Sequence, residues 1–475
     1  MYYYLLLIIP VIIILVVLIR TFNFKPKGLP EMKKRHEINE KRVVESLSKM
    51  IQFKTISHAN QELIDDNEFV KFRQFLKERY PHIFNVGSYH EFHRGMLIKI
   101  TGASSDAPVV LMSHYDVVPV NGTWDEDPFS GRVSDKTVYG RGALDTKSSL
   151  NAVMESVEYA LSKGKEFKQD LYLSFGGDEE TFGMSQTEIV IYFEKEGIHP
   201  GLVLDEGGAI ISKMFPGVDK KAAVVGIAEK GFLNLKLVAK SQGGHASTPP
   251  KKTPITNLSL AVTKLNQHRS FKLKLTPPVK ALFENLAPHS KSFGIKLLFS
   301  NLWLFTPVVK LIAKLSGGEF LSLFKTTQAF TQSAGSEAIN VLPSRAEIGV
   351  NYRLRPYETS FDVVNRVKKI VSKYNVDVEV VEVSETSTIS QIDDCYKVIE
   401  KAIKQTWPDV IPAPYLMIAT SDSRHYHKIC EHVYKFSPMD VSKADLAKIH
   451  GINEDITIEN IVNGVNFYLN IIDQL

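Results

Sequence analysis

Residues 109–116 read VVLMSHYD, a short apolar run that leads directly into a histidine and an aspartate. Two later runs have the same form: LYLSF at 171–175 leads into GGDEE, and LVL at 202–204 leads into DEGG. Residues 148–161, between the first two runs, have helical periodicity. This alternation of short β-rich runs and helices predicts an α/β fold with a mostly parallel sheet covered by helices.

The polar residues that follow these runs are the candidate functional residues. In open α/β sheets, ligand sites form at the carboxyl ends of the strands, so the three polar clusters should converge with a fourth, the YGRGALD loop at 139–145. One histidine and several carboxylates suit a divalent cation, and zinc is the leading candidate. The carboxylates outnumber those that one zinc ion uses, which favours two ions about 3.5–4 Å apart with one shared carboxylate.

Each cluster alone also has an ordinary structural explanation. A His-x-Asp sequence is common in surface turns, a Glu-Glu pair is common on solvated faces, and an aspartate after a strand often caps a helix. A metal site is favoured because four such clusters occur together, each directly after a buried-strand pattern or before a helix.

Composition excludes several other classes of protein. The chain has 475 residues, with 57 Lys and Arg against 53 Asp and Glu, but residues 1–35 alone carry a net charge of +5 and the rest is nearly neutral. A nucleic-acid-binding protein needs a basic face on its folded body, so no nucleic-acid partner is expected. The two cysteines, Cys395 and Cys430, have no CxxC spacing, which excludes a disulfide framework and a cysteine-based zinc site.

The N-terminal segment, residues 2–19, is an unbroken run of apolar and aromatic residues that ends before Arg20. As a helix it would span roughly 27 Å, close to the thickness of a bilayer core. The alternative is a cleaved signal peptide, which needs a basic region before the run and a small-residue cleavage site after it. We therefore expect a single-pass membrane anchor. The basic residues after it favour a cytoplasmic body, but one short flank leaves the side of the membrane open.

The rest of the chain divides into three parts. Residues 36–230 have the α/β pattern and form the first half of a catalytic domain. Residues 231–355 form an inserted α+β unit, in which FLNLKLVAKS at 232–241 alternates with period two, as strands with one solvated face do. Residues 356–475, which include a strand pattern at 376–383, return to the α/β pattern and form the second half of the catalytic domain.

The motifs SHYDVVPV, WDEDPFSG, YGRGALDTKSSL, GGDEETFG and LDEGG occur in this order between residues 113 and 208. Together they resemble the dinuclear zinc metallopeptidase family of aminoacylase, glutamate carboxypeptidase, acetylornithine deacetylase and carboxypeptidase S. The resemblance runs from about residue 43 to the end of the chain. The N-terminal apolar segment, the intact DEGG and TSDSRHYH at 420–427 are most similar to the carboxypeptidase S and N-fatty-acyl-amino-acid hydrolase branch.

The resemblance implies a two-zinc exopeptidase-like catalytic domain interrupted by an inserted lid and dimerisation domain. Two zinc ions per chain are expected, with cobalt or manganese as substitutes. His114 and Asp205 would bind one ion, with Glu206 as the alternative to Asp205, because adjacent strand residues face opposite ways and only one can be a ligand. The other implied roles are Asp145 as the bridge between both ions, Glu180 and His450 as ligands of the second ion, Asp116 as the residue that orients His114, and Glu179 as the general base.

The inserted unit carries three substrate-binding candidates by the same resemblance. His245 would stabilise the oxyanion, in relatives often across a dimer interface, so we expect a homodimer. Asn340 matches a substrate-contacting position, and Arg353 would bind a free α-carboxylate through both of its terminal nitrogens. In the second half of the catalytic domain, two residues resemble a motif that lines the site, Asp422 and Arg424, and three histidines are interpreted as structural, His425, His427 and His432.

These features predict a membrane-anchored two-zinc hydrolase that cleaves an amide whose amine side carries a free carboxylate. The substrate is an N-acyl amino acid or the C-terminal bond of a short peptide. Two alternatives stay open: a small-metabolite deacylase of the acetylornithine or diaminopimelate type, and a catalytically inactive binding module. The apolar section at 295–324 has two interpretations as well, either core or dimer packing or a wall for a long acyl chain that includes Phe299 and Trp303 and could dip into the bilayer beside the anchor.

Overall fold

The computed structural model describes residues 2–26, 29–267 and 271–475, with side chains from residue 8 onward. Fifteen α-helices lie in this described part of the chain: α1 (Tyr2–Phe22), α2 (Glu40–Ile51), α3 (Asp66–Arg79), α4 (Pro81–Val86), α5 (Lys147–Ser162), α6 (Ser185–Lys195), α7 (Pro254–Gln267), α8 (Pro277–Leu286), α9 (Phe293–Ser300), α10 (Leu302–Ser316), α11 (Gly318–Ser322), α12 (Ser360–Val371), α13 (Asp394–Thr406), α14 (Lys443–Leu446) and α15 (Ile458–Ile472).

The same residues form eighteen strands: β1 (Ser88–Phe92), β2 (Gly95–Ile100), β3 (Ser104–His114), β4 (Thr137–Tyr139), β5 (Gln169–Gly176), β6 (Leu202–Asp205), β7 (Ile210–Ile211), β8 (Ala222–Glu229), β9 (Gly231–Lys240), β10 (Gly244–His245), β11 (Thr327–Ala334), β12 (Val341–Leu342), β13 (Arg345–Leu354), β14 (Asp377–Ser384), β15 (Ile411–Met417), β16 (Val433–Lys435), β17 (Asp440–Val441) and β18 (Asp455–Thr457).

A ten-stranded sheet occupies the centre, in the order β1-β2-β5-β3-β6-β16-β8-β7-β17, with β15 paired to β8. β3 runs parallel to both β5 and β6, and the register pairs His114 with Gly176 and Leu111 with Leu204. The three polar clusters of the sequence therefore leave the sheet at the same end. The outer strands β1 and β2 are antiparallel to their neighbours, so the α/β fold is confirmed with a mixed sheet.

Two buried helices bring together the loops that flank the site. α5 begins at Lys147, directly after the 139–145 loop, and α15 begins shortly after the 448–454 loop. Thr457 caps α15, because its side chain accepts a hydrogen bond from Asn460 N. The two helices are buried along most of their length and pack against each other. The two loops are more than 300 positions apart in the chain, but both lead into this packed pair of helices.

A second, antiparallel sheet has the order β11-β13-β9-β14 and packs against α7 and α12. The alternating run at 232–241 lies in β9, as the pattern predicted. β14 pairs with β9 from Asp377 to Ser384, so this unit extends past the predicted boundary at residue 355. The strand pattern at 376–383 therefore belongs here and not to the second half of the α/β domain, because a half-exposed strand looks the same at the edge of any sheet.

Helices α8 to α11 pack on the central sheet, although they fall within the predicted inserted unit. Their buried side chains join those of β8 and β15 in one apolar cluster. Phe299 is 5% exposed and contacts the rings of Phe215 and Phe283, which fits core packing and contradicts its use as an acyl-chain wall. Trp303, one turn further along the chain, is 55% exposed.

The N-terminal apolar run forms α1. The apolar part of this helix with described side chains is Ile8–Phe22, and no single helix in the described residues is long and apolar enough to cross a membrane. α9 and α10 meet the same test only as a pair, bent by 115°. The anchor at 2–19 stays a prediction.

Candidate active site

The first group of candidate ligands lies where β3 and β6 end. His114 Nε2 is 3.2 Å from Asp145 Oδ1 and 3.2 Å from Glu206 Oε1. The three ligand atoms lie within 4.8 Å of one another, a spacing that one cation can bridge. His114 is buried and the two carboxylates are partly buried, so this group lies mostly inside the end of the sheet.

The second group shares Asp145 with the first. The other carboxylate oxygen of Asp145, Oδ2, is 3.0 Å from His450 Nε2, and the same nitrogen is 3.0 Å from Glu180 Oε2. The His450 side chain is 52% exposed, so this group faces solvent. Asp145 therefore lies between two histidines, each of which contacts a further carboxylate of its own.

Glu206, and not Asp205, joins His114. Asp205 is the last residue of β6, and its Oδ2 accepts a hydrogen bond from Ser423 N at 3.0 Å. Adjacent residues at the end of a strand face opposite ways, so Glu206 faces His114 when Asp205 faces Ser423. The structure corrects the first choice, Asp205, in favour of its alternative.

Asp116 is fully buried behind His114. Its Oδ1 is 3.3 Å from His114 Nδ1, and the Asp116 carbonyl oxygen is 3.1 Å from the same nitrogen. The Ser57 hydroxyl and the backbone N–H groups of Glu179 and Glu180 donate to the Asp116 carboxylate at 2.7–3.2 Å. One aspartate thus holds the histidine ring and the Glu179-Glu180 turn in a fixed relation, and Nε2 is left to face the ligand group.

Glu179 lies beside the first group. Its Oε2 is 4.0 Å from His114 Nε2, further away than the oxygens of Asp145 and Glu206. Glu179 and Glu180 begin a short 3₁₀ turn directly after β5, and this turn directs Glu180 to the second group. A carboxylate that is next to the candidate ligands but outside their groups is in the position expected of a general base.

The site concentrates negative charge. Burial raises the pKa of Glu179 and of Glu206, and it raises that of Glu180 to about 7 with a further contribution from the charge of Asp145. Burial also acts on Asp145 and Asp116, but in both cases hydrogen bonds, mainly from histidine, lower the pKa below its usual range. The uncompensated carboxylates are a site that divalent cations would neutralise.

These carboxylates raise the pKa of both histidines. Hydrogen bonds to Asp145 and Glu180 raise the pKa of His450 to about 10. Burial alone would lower the pKa of His114, but the charge of Glu206 and the hydrogen bonds to its neighbours raise it. Imidazole nitrogens and carboxylate oxygens are ligands that zinc accepts, so the donor set fits two zinc ions that share Asp145.

A buried ion pair, which the sequence reasoning missed, joins the two loops of the second group. Glu454 accepts hydrogen bonds from three backbone N–H groups of the 141–145 loop at 2.6–3.1 Å and from Arg141 Nη1 at 2.9 Å. Arg141 Nη2 donates in turn to Gly451 O at 2.8 Å. This fully buried pair therefore fixes the position of the Asp145 loop relative to the His450 loop.

His245 and Asn340 are neighbours in the inserted unit and lie on its surface. β10 pairs with β12, and Ala246 N donates to Asn340 O at 3.0 Å. His245 Nδ1 is 2.7 Å from Ser247 Oγ, and both His245 and Asn340 are exposed. In the described part of this single chain, the hydrogen bonds of His245 are within the inserted unit and none is with a candidate metal ligand.

Arg353 is connected to the site by a row of contacts with two tilted rings. Its guanidinium lies 5.8 Å from the centre of the Phe232 ring, which is 4.9 Å from the ring of Phe182. The guanidinium of Arg424 lies 5.4 Å from the Phe182 ring. Because Phe182 follows the Glu179-Glu180 turn by two residues, this row of contacts places both arginines close to the candidate catalytic turn.

Asp422, which lies in a separate 3₁₀ turn at 422–428, is buried next to the last residue of β5, Gly176. A side chain at Gly176 would place its first carbon 2.8 Å from Asp422 Oδ2, so it would displace the Asp422 carboxylate from this position. Asp422 Oδ2 has no hydrogen-bond partner in the described residues, and burial raises the pKa of Asp422 to about 8. The charge of Asp422 raises the pKa of Glu179. Asp422 therefore lies beside the site, as the motif implied.

The three other histidines have separate contacts. His425 Nδ1 is 3.5 Å from Thr187 Oγ1, and His427 lies between Thr388 Oγ1 and Lys435 Nζ. His432 forms a group with Asp393 and Cys395, but its Nε2 is 2.8 Å from Asp393 Oδ2, a hydrogen-bond distance, and Asp393 caps α13. These contacts fit the structural interpretation of all three histidines.

Comparison with known proteins identifies the family of this chain. Peptidase family M20/M25/M40 matches residues 110–474. A Dictyostelium discoideum protein named "Probable carboxypeptidase S-like 2" is 35% identical over 448 residues, which cover 90% of this chain and 84% of that protein. The Mus musculus protein "N-fatty-acyl-amino acid synthase/hydrolase PM20D1" is 33% identical over 435 residues, which cover 90% of this chain and 86% of that protein.

Among solved structures, the M20 family metallo-carboxypeptidase Sso-CP2 from Sulfolobus solfataricus has a TM-score of 0.67 at 17% identity and covers 91% of this chain and 99% of its own. The fold of this family is therefore shared over nearly the whole chain. The predicted resemblance to the carboxypeptidase S and N-fatty-acyl-amino-acid hydrolase branch is confirmed. The chain belongs to peptidase family M20/M25/M40 and is an enzyme of the metallopeptidase and amidohydrolase type.

Proposed function

We propose that the chain is a membrane-anchored two-zinc hydrolase of amides whose amine side carries a free carboxylate. The observation that carries this proposal is the position of Asp145, whose two oxygens contact two histidines that each have a further carboxylate. α1 would provide the anchor. The names of the relatives, carboxypeptidase S-like and N-fatty-acyl-amino acid hydrolase, fit the two substrate classes, short peptides and N-acyl amino acids.

Two zinc ions would be held by five side chains. When bound, they would polarise the amide carbonyl and lower the pKa of a water to near neutrality. The first ion would contact His114, Asp145 and Glu206, and the second Asp145, Glu180 and His450. Asp116 fixes the ring of His114 from behind, so that its Nε2 is aimed at the site before any ion binds.

Glu179 would carry the proton. Its carboxylate would take a proton from the attacking water and give it to the leaving amine, which completes the cycle without a second acid. Bound cations would lower the pKa of Glu179, because they favour its charged form, whereas burial raises it. The negative charges of Asp422 and Glu206 also raise the pKa of Glu179.

Arg353 would select the substrate through its free carboxylate. A guanidinium binds both carboxylate oxygens at once, and the row of contacts with Phe232 and Phe182 limits the movement of Arg353. His245 would reach the site of a partner subunit in a homodimer and stabilise the oxyanion there. Its exposure, next to Asn340 on the lid surface, supports this role in trans.

The test is a screen of the full-length chain against N-acyl amino acids, from acetyl to long-chain acyl, and matched dipeptides, read by mass spectrometry. We expect cleavage in at least one of the two classes. Cleavage of small acetylated metabolites alone would instead favour a deacylase of the acetylornithine type. No turnover in a protein that holds two metal ions would contradict the proposal.

Glu179→Gln isolates the general base. It should keep both metal ions but lose at least about 10²-fold in turnover, the lower range for a positioned acid–base group. The control is Glu196→Gln, an exposed glutamate at the end of α6 that should leave turnover unchanged. Loss of metal from Glu179→Gln would show that this residue is a ligand.

A further inference from the structure

The α9–α10 corner has an apolar outer surface that the proposed chemistry does not use. α10 buries Leu302, Val309 and Ala313 against the protein, which accounts for one stripe of the helix. Most of its other positions are apolar as well, apart from Thr306, Lys310, Lys314 and Ser316, and six large side chains remain exposed there: Trp303, Leu304, Val308, Leu311, Ile312 and Leu315. A helix that is apolar on all sides is typical of a buried or membrane environment.

The end of α1 is docked on this corner through polar contacts. Arg20 Nε and Nη2 donate to Ser300 O at 3.2 and 3.1 Å, and Asn301 Nδ2 donates to Val17 O at 3.2 Å. Thr21 is 3% exposed, and its Oγ1 is 3.1 Å from Ser300 Oγ. These contacts hold α1 and the corner in one fixed arrangement.

Exposed apolar side chains also lie where α1 meets α9. The Phe22 and Phe293 rings lie 5.8 Å apart where α1 meets α9, and both are exposed. Beyond this contact, α1 exposes a further row of large aliphatic side chains: Ile8, Ile9, Val11, Ile12, Ile14, Leu15, Val16 and Ile19. α1 and α10 both expose apolar side chains, and α9, which packs against both helices, links them.

The charged residues of α9 and α10 themselves are all positive, and the nearest acidic residue along the chain after them is Glu319. Residues 293–316 contain no acidic residue and three lysines, Lys296, Lys310 and Lys314. Lys310 and Lys314 are one turn apart on α10, and Lys314 is exposed. Lysines beside exposed apolar residues can keep their ammonium groups at the level of lipid phosphates while their stems lie along the apolar surface. A tryptophan in the first turn of the helix is also typical of the membrane interface.

We propose that the α9–α10 corner lies in the surface of an anionic lipid bilayer beside α1 and forms a second membrane contact of the protein. The exposed side chains of α10 enter the acyl region, and the lysines contact lipid phosphates. Because the corner is part of the core that covers β8 and β15, this contact fixes the orientation of the catalytic domain relative to the bilayer. The proposal rests on the membrane anchor proposed for α1, but not on which amide the enzyme cleaves.

The experiment uses the tryptophan fluorescence of the full-length chain in vesicles of phosphatidylcholine and phosphatidylserine with brominated acyl chains, which quench nearby indoles. Wild type is compared with Trp303→Phe and with a control, Trp124→Phe, whose indole lies beside Arg141 in the catalytic domain. We expect bromolipid quenching in wild type, loss of most of it in Trp303→Phe, and no loss in Trp124→Phe. Vesicles without phosphatidylserine should give weaker quenching.

Three results would overturn the proposal. Equal quenching in wild type and Trp303→Phe would place Trp303 outside the acyl region, and so would an absence of quenching in both. Efficient disulfide formation between two chains of a Leu311→Cys variant, with no bromolipid quenching, would show that a second copy of the chain covers this surface. Equal thermal unfolding of wild type and Trp303→Phe checks that the exposed substitution has not changed the fold.

Discussion

Glu454→Gln removes the charge that joins the two loops of the second ligand group and keeps the size of the side chain. In wild type, Oε1 accepts from the backbone N–H groups of Leu144 and Asp145, and Oε2 accepts from Gly142 N and Arg141 Nη1. The glutamine amide has only one oxygen, so two of these four buried donors lose their acceptor in either orientation.

The loss of folding stability in Glu454→Gln can be estimated in two ways. Two unpaired buried donors at about 1–3 kcal/mol each give roughly 2–6 kcal/mol, and removal of one partner of a buried ion pair costs about 3–5 kcal/mol. We therefore expect the free energy of unfolding to fall by about 3–5 kcal/mol in urea denaturation. Because Glu454 also holds the backbone of Asp145, metal affinity should fall about 10–100-fold, as for other residues that orient a ligand.

The matched control is Glu126→Gln. Glu126 forms an ion pair with Arg132 at 2.5 Å, as Glu454 does with Arg141, but both partners are more than 40% exposed. An exposed pair contributes about 0–1 kcal/mol. If Glu454→Gln is no less stable than Glu126→Gln and binds metal like wild type, the buried pair does not hold the loops and the reasoning is wrong.

Three further predictions test other parts of the account. Glu206→Ala should lose one metal ion or weaken its binding strongly, whereas Asp205→Asn should keep two, and the reverse result in metal analysis would restore Asp205 as the ligand. Arg353→Ala should raise KM about 10–100-fold for substrates with a free carboxylate, the value of a charged hydrogen bond; an equal effect on carboxamide-capped substrates would exclude a carboxylate role. Burial lowers the pKa of Lys230 from 10.5 to about 7 in the folded state, so folding releases a proton between these values and stability rises with pH across this window. Lys230→Met should flatten the rise in Tm between pH 7 and 10, and an unchanged slope would show that Lys230 is charged in the folded protein.

The convergence of the polar clusters was predictable because it follows from the order of adjacent parallel strands. β5, β3 and β6 are neighbours, so the residues that end them meet at one end of the sheet whatever the details of the loops. The choice between Asp205 and Glu206 was not predictable in this way. It depends on the residue at which β6 ends, and sequence patterns place a strand end only to within a few residues.

Two other features depend on contacts that no local pattern contains. Arg141 and Glu454 are 313 positions apart, and nothing in either loop shows that its charge has a buried partner. β14 has the half-exposed pattern of an edge strand, which predicts a strand but not the sheet to which it belongs. The apolar section at 295–324 was ambiguous for a related reason, since it supplies both the buried cluster around Phe299 and the exposed side chains of α10.

The central claim is that Asp145 joins two metal ions in one hydrolytic site. The most direct test is the metal content of the purified full-length chain and of Asp145→Ala, measured by inductively coupled plasma mass spectrometry after dialysis against metal-free buffer. The account predicts about two zinc ions per wild-type chain and weakened binding of both in Asp145→Ala, because the two oxygens of this carboxylate serve both groups. Two tightly held ions in Asp145→Ala, or a wild-type chain that is fully active with one, would contradict it.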